Sequence, residues 1–259
     1  MRKLPADLDP RVDIENLPKH IAVIMDGNGR WAKLHGKKTT EGHEAGAEGV
    51  REVLKGCREL EIPCLSLYAF STENWSRPKE EIDSLFQLMS KYIRKEIDEI
   101  KKHGIRVLFM GEWRALPPTA VQDLEYCLAQ TKDNKDMTVV VGLNYGGRQE
   151  ILHCTKLIAE KVQRGDMKIE EITEDLFNQH LYVPEFPNVD LLIRTSGEQR
   201  VSNFMLWQLS YAEMVFLPVL WPDFRRKHLW EAIVHYQKKE RRFGTRLDKT
   251  KSNLLPQNS

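Results

Sequence analysis

Six short runs rich in β-branched and aromatic residues, alternating with longer stretches of helical periodicity, constrain this chain more than any other feature. The runs are HIAVIM at 20–25, CLSLYAF at 64–70, IRVLFM at 105–110, TVVVGLN at 138–144, VDLLIRT at 189–195 and EMVFL at 213–217. Strand and helix patterns in alternation indicate an α/β domain with a mostly parallel sheet, because a parallel return needs a crossover long enough to be a helix. The runs are almost continuously apolar rather than alternating, so both faces of the sheet must be covered. The expected fold is a single α/β domain with a central, mostly parallel six-stranded sheet flanked by helices.

The intervening stretches supply the cover. Residues 44–60 place Ala47, Val50, Leu54, Cys57 and Leu60 on one helical face. From Lys79 to His103, the residues Ile82, Leu85, Phe86, Met89, Ile93, Ile97 and Ile100 recur at helical spacing, with Pro78 suited to the first turn. Such a helix spans ~35 Å at 1.5 Å per residue. Its stripe is either ordinary core or the lining of an apolar groove. Further helical patterns cover 148–164, 173–181 and 226–242. Nothing divides the chain into domains, so residues 18–244 are read as one unit, with 1–17 and 245–259 as flexible ends.

Charge excludes one broad class of partner. Thirty-nine lysines and arginines against 38 acids leave a net charge of +1, which gives nucleic-acid binding no support. The four cysteines, Cys57, Cys64, Cys127 and Cys154, form no C-x-x-C pair and read as buried free thiols of a reducing compartment. The first twenty residues contain no apolar signal segment, and no run approaches the length of a membrane span. A cytoplasmic location is expected, with any lipid contact peripheral.

The chemistry-bearing residues cluster where strands end. In an open parallel sheet, ligands bind beyond the carboxyl ends of the strands. The first strand runs into Asp26-Gly27-Asn28-Gly29-Arg30-Trp31-Ala32-Lys33. Its glycines let backbone approach a ligand, and the amides of the following helix suit an anion such as a diphosphate. Gly27, Gly29 and Ala32 also satisfy a dinucleotide-binding pattern, and a plain structural turn is a third reading. Asp26 weighs against the dinucleotide: a carboxylate beside a pyrophosphate repels it unless a divalent cation lies between, and Mg²⁺ commonly joins one or two carboxylates to substrate phosphates. Bulky Trp31 also suits the nicotinamide turn poorly.

After the second strand come Ser71, Thr72, Glu73, Asn74, Trp75, Ser76 and Arg77, which offer a hydroxyl, an amide and a fixed cation. Ser71 and Asn74 are equally at home as turn and cap residues. After the fifth strand, Arg194, Arg200 and Ser202 surround the Gly197 turn and match the oxygens of a second phosphate group; paired surface arginines are the alternative. Glu213, before the sixth strand, is a candidate second acid for the metal or a solvated residue. His43 stands at a helix start where it could donate to phosphate or move a proton, though a lone histidine is usually structural.

Taken in order, HIAVIMDGNGRWAK, EGHEAG, LYAFSTENWSRP, LNYGGR, DLLIRTSGEQRVSNFMLWQ, YAE and LWPDF resemble the motifs of the cis-prenyltransferases, the undecaprenyl diphosphate synthase-like isoprenyl transferases. The resemblance implies a homodimer, an apolar tunnel between sheet and helices, and condensation of isopentenyl diphosphate with an allylic diphosphate, such as farnesyl diphosphate, to give a Z-polyprenyl diphosphate. It places Asp26, Gly27, Asn28, Gly29, Arg30 and His43 at the allylic diphosphate, and Arg194, Arg200 and Ser202 at isopentenyl diphosphate. Asp26 and Glu213 are implied to serve Mg²⁺, with Asp26 and Asn74 as catalytic residues. Ser71, Asn74, Trp75 and Arg77 are assigned to a loop that closes over the reacting ends. The Arg242-Phe243-Gly244 tail is similar to a C-terminal motif reaching toward a partner subunit. The chain departs from common bacterial members at Thr39, Glu44 and Gln199, where arginine, a basic residue and histidine are frequent; the allylic diphosphate is then expected to be held less tightly, or by Lys37 and Lys38 instead, and the metal to lack one imidazole.

Overall fold

The computed structural model describes residues 4–239. Strands β1 (His20–Ile24), β2 (Cys64–Ser71), β3 (Ile105–Met110), β4 (Met137–Tyr145), β5 (Leu191–Arg194) and β6 (Glu213–Phe216) form one sheet in the order β3-β4-β2-β1-β5-β6, and every pairing is parallel. They fall within two residues of the runs read from the sequence. The chain starts at the sheet's centre and winds outward on one side through β2, then on the other through β5. The reversal lies between β1 and β5, the place where such sheets leave a crevice beyond their carboxyl ends.

Around the sheet lie α1 (Asn28–Leu34), α2 (Thr39–Glu59), α3 (Lys79–Lys102), α4 (Pro118–Thr131), α5 (Gly147–Gln163), α6 (Glu174–Asn178) and α7 (Arg226–Gln237). α2 begins at Thr39 rather than 44, because the Lys38 amide donates to Glu41 Oε2 at 2.9 Å and starts the helix early. α6 stops at Asn178, short of the expected 181; Thr173 Oγ1 caps its start, and Pro184 and Pro187 follow too closely for it to continue. α4 has no counterpart among the helical patterns read from the sequence. Pro118 fixes its first turn, and its buried stripe of Ala120, Leu124 and Cys127 is short and mixed with Asp123 and Thr131.

β1 shows why the strands are continuously apolar. Ile21 and Val23 join the larger core with Val53, Cys57, Trp221 and Leu229, whereas Ala22 and Ile24 face the opposite side with Tyr145, Phe204 and Leu209. Close packing of α1 on α2 depends on glycine: a Cβ at Gly42 would lie 2.3 Å from the Asn28 carbonyl oxygen. The N-terminal stretch makes contacts with the body of the fold from Val12 to Asn16. Val12 is buried, and Gln237 Nε2 donates to the carbonyls of Asp13 and Asn16 at 2.7 and 2.8 Å. Arg242, Phe243 and Gly244 lie outside the described residues. No helix of the described residues is long and apolar enough to cross a membrane.

Candidate active site

The loops after β1 and β5 are stitched together at the crevice. The Asp26 amide donates to Thr195 Oγ1 at 3.0 Å, and Thr195 Oγ1 donates to the Asp26 carbonyl at 2.6 Å. Gly27 follows with φ +111°, a backbone state that L side chains rarely adopt, and a Cβ there would meet Leu220 Cδ2 at 2.9 Å. The turn therefore requires glycine, and it sets the direction of α1, from which Arg30 reaches back.

Cations surround Asp26. Arg194 Nη2 donates to Asp26 Oδ2 at 2.8 Å and Arg30 Nη2 to Oδ1 at 3.2 Å. Burial pushes the Asp26 carboxyl up, but the bonds and charge of Arg194, the Ser196 hydroxyl and the charge of Arg30 outweigh it and hold the group below its ordinary range. Asp26 is therefore an anion at neutral pH. Arg194 is itself buried; its Nη1 also donates to Ser202 Oγ at 2.7 Å and to the Arg200 carbonyl at 2.5 Å, while its Nε finds no partner. Arg30 further donates to Ser196 Oγ at 2.5 Å. Ser196, Gly197, Ser202 and Asn203 all have positive φ, which coils residues 195–203 so that side chains remote in sequence meet.

The remaining candidates divide. Asn74 Oδ1 accepts from the Ser71 amide at 3.0 Å, so these two do hold a turn, and both also line the cavity mouth. Arg77 Nη1 pairs with Glu81 Oε1 at 3.0 Å, and His43 Nε2 approaches the same oxygen at 3.5 Å. Burial, then the charge of Arg77, lowers the His43 pKa, leaving a neutral ring beside the mouth. Glu73 Oε1 accepts from Asn203 Nδ2 at 3.0 Å, joining the loop after β2 to the one after β5. Thr72 Oγ1 is buried without a partner. Trp75 packs on Phe70 and Phe86 and donates from Nε1 to Asn144 Oδ1 at 2.8 Å. Trp31 is turned away: it stacks on His35 and donates to Asp223 Oδ1 at 2.9 Å. Arg200 is exposed and paired with Glu198. Glu44 pairs with Lys91 at 2.9 Å, Thr39 is exposed at the start of α2, and Gln199 is exposed.

Strand register places Glu213. It pairs with Leu191 at the amino end of β6, while Phe216 is level with Arg194 and Ile24. Three residues of strand separate those levels, ~10 Å. Glu213 of one chain therefore lies well back from the crevice that holds Asp26, and among the described residues there is no group of three or more His, Cys, Asp or Glu that could hold a metal ion. A lone, partly exposed carboxylate ringed by arginines still fits Mg²⁺ that takes its other ligands from substrate phosphates and water.

Behind the charged mouth, a cavity of about 870 Å³ runs between the sheet and helices α2 and α3. Asp26, Asn28, His43, Arg77, Arg194 and Ser202 edge its entrance, and Val50, Leu54, Met89, Ile93, Val107 and Val139 are among its apolar walls. The long stripe of α3 is thus both core and groove: Met89, Ile93 and Ile100 line the cavity, whereas Ile97 and Met137 are buried elsewhere in the core. A site that joins phosphate-binding charge to a long apolar chamber suits a diphosphate with a hydrocarbon tail.

Residues 24–244 match the protein family described as "Putative undecaprenyl diphosphate synthase". The chain belongs to the cis-prenyltransferase family. This cis-prenyltransferase is 45% identical over 234 residues to "Isoprenyl transferase" of Clostridium tetani, covering 90% of this chain and 92% of that one. It is 46% identical over 241 residues to "Tritrans,polycis-undecaprenyl-diphosphate synthase (geranylgeranyl-diphosphate specific)" of Methanocaldococcus jannaschii, covering 92% and 86% of the two chains. The structure of lavandulyl diphosphate synthase from Lavandula x intermedia in complex with dimethylallyl diphosphate superposes with a TM-score of 0.85 at 35% identity, covering 88% of this chain and 99% of that one. The protein is an isoprenyl transferase that performs cis-prenyl chain elongation, which retires the dinucleotide reading of the Gly27 loop. Three of its site residues carry no separate signal in the sequence: Thr195, Ser196 and Asn203 act through a coiled loop, and only their adjacency to Arg194 and Ser202 pointed to them.

Proposed function

We propose that this cis-prenyltransferase condenses isopentenyl diphosphate with an allylic diphosphate, farnesyl diphosphate first among them, to give a Z-polyprenyl diphosphate such as undecaprenyl diphosphate. The observation that carries the reading is the arginine-ringed Asp26 at the mouth of the apolar cavity. In this reading the Asp26–Arg30 loop with His43 holds the allylic diphosphate, and Arg194, Arg200 and Ser202 hold isopentenyl diphosphate. Ser71, Thr72, Glu73, Asn74, Trp75 and Arg77 border the reacting ends. The primer is open to variation, since one relative is named for geranylgeranyl diphosphate and another, from Thermobifida fusca, for (2Z,6E)-farnesyl diphosphate.

Family membership implies metal-dependent diphosphate chemistry, and Mg²⁺ is the ion we assign. Bound at Asp26 and the phosphates, it would neutralise charge building on the departing diphosphate. Arg30 and Arg194 add fixed positive charge on the same side. The apolar walls keep water from an allylic cation, which water would otherwise capture. Holding the two substrates in line makes their union effectively unimolecular. The proton lost from the new cation goes to a diphosphate oxygen, a water or His43. A homodimer is part of this reading, with Glu213 as the supporting acid for the ion; peripheral membrane contact would serve release of a long product in the cytoplasm.

Saturable incorporation of labelled isopentenyl diphosphate, lost on chelation and restored by Mg²⁺, is the expected result. Asp26→Ala should lower turnover by at least ~10³-fold, about 4 kcal/mol of barrier. Incorporation indifferent to metal, or near-normal turnover in a folded Asp26→Ala variant, would overturn the assignment.

A further inference from the structure

Two helices that wall an apolar chamber face a packing problem. The inner faces of α2 (Ala47, Val50, Leu54) and α3 (Met89, Ile93, Ile100) line the cavity, which leaves the outer edge of the seam to other side chains. Polar contacts cross the seam there. Lys91 Nζ pairs with Glu44 Oε1 at 2.9 Å and Tyr92 Oη donates to the Glu44 carbonyl at 3.3 Å. Arg51 reaches Glu96 Oε1 from Nε at 3.1 Å and from Nη2 at 2.7 Å, and Arg58 Nη1 approaches His103 Nδ1 at 2.6 Å.

Of these ties, Arg51 with Glu96 is the one whose two partners both line the cavity. It is also the most constrained. Arg51 spends two donors on one carboxylate oxygen, a third on Glu48 Oε2 at 2.9 Å, and lies over the Tyr92 ring at 5.4 Å from its centroid. Its aliphatic stem can cover apolar wall while the guanidinium stays at the half-exposed edge. A hydrocarbon tail growing between sheet and helices meets this pair on the side away from the sheet. To extend outward it must part α2 from α3, separating a bonded charge pair and placing methylenes against both ions.

We propose that Arg51 and Glu96 form a clasp across the α2–α3 seam that determines specificity, limiting the length of hydrocarbon the enzyme will extend. The inference rests on the elongation reading above and adds to it the side-chain pair that closes the chamber. It predicts that length depends on the bond between the two residues and not on either charge alone.

A charge-swap cycle tests this. Arg51→Glu and Glu96→Arg each set like charges across the seam, and each should shift the products of labelled isopentenyl diphosphate toward longer chains. The double swap restores an opposite-charge pair and should return the distribution toward wild type. Glu96→Gln keeps the volume, removes the charge and should shift products in the same direction by less, which guards against a reversal that fails to fold. Thermal melts and the KM for isopentenyl diphosphate, bound at the other end of the chamber, separate an altered wall from general loss of structure. A wild type that elongates, with unchanged products from the folded single variants, overturns the clasp alone. Longer products from the singles that the double swap leaves unrestored also overturn it, since length would then follow charge and not the bond. A wild type that adds no unit overturns the elongation reading and the clasp with it.

Discussion

His20 shows how much a single buried side chain contributes away from the chemistry. It opens β1 fully enclosed, with Nδ1 at 2.8 Å from the Pro187 carbonyl and Nε2 at 2.8 Å from Ser66 Oγ. Burial lowers its pKa to about 4, although the bond to Pro187 favours the charged form. The folded pKa lies below that of the unfolded chain, so the unfolded state takes up the proton first. His20 therefore adds stability that is fully present above about pH 6.5 and is lost as the pH falls toward 4. Between pH 6.5 and 5 the loss should be roughly 2 kcal/mol, at 1.36 kcal/mol per pH unit. Urea denaturation at both pH values should show it, and a His20→Gln variant, less stable throughout, should show a flatter dependence; equal slopes would contradict the assignment. At this scale Asp26, Arg194 and Ser202 were legible because they follow the carboxyl ends of strands that the apolar runs mark. The level of Glu213 along the sheet was not, because strand register decides which end of β6 it occupies and register depends on partners distant in sequence.

At the scale of elements, α3 was readable as a helix from its stripe, and its limits agree with the sequence to one residue. Periodicity does not say what a stripe faces. Ile93 and Ile97 are one turn apart on the same helix, yet Ile93 lines the chamber and Ile97 is enclosed by core. Trimming the two should therefore have different consequences. Met89→Ala and Ile93→Ala should lengthen products, because they enlarge the chamber proposed for the tail; each methylene buried there would draw the chain inward by ~0.8 kcal/mol. Ile97→Ala and Met137→Ala should instead cost ~2–5 kcal/mol of stability and leave chain length alone. Product chromatography with thermal melts on the four variants checks both halves, and length changes confined to Ile97 or Met137 would mean that the wall has been misplaced. α4 escaped the sequence because its buried face is short and includes Asp123, which is held by Arg94 at 2.6 Å.

Across the whole molecule, function follows from where the winding reverses. The chain begins in the middle of its sheet, so the first and fifth strands become neighbours, and the loops after them bring an acid and a buried arginine together across 168 positions of sequence. Strand and helix alternation made the α/β class legible; the strand order was not, because each apolar run is compatible with several neighbours. From the residues themselves the chamber was legible as the alternative reading of one long stripe, since its other walls come from α2 and the sheet; the family resemblance implied the rest of the tunnel. Membership of the cis-prenyltransferases, with charge at one end and hydrocarbon space behind it, amounts to a claim about the product: each unit added should leave a Z double bond, and the tail should grow by repeated addition. The most direct measurement is NMR of the product made from ¹³C-labelled isopentenyl diphosphate, an allylic primer and Mg²⁺. The account predicts a series of chains in which every new double bond is Z. A product stopping after one condensation, or one whose new double bonds are E, would contradict it.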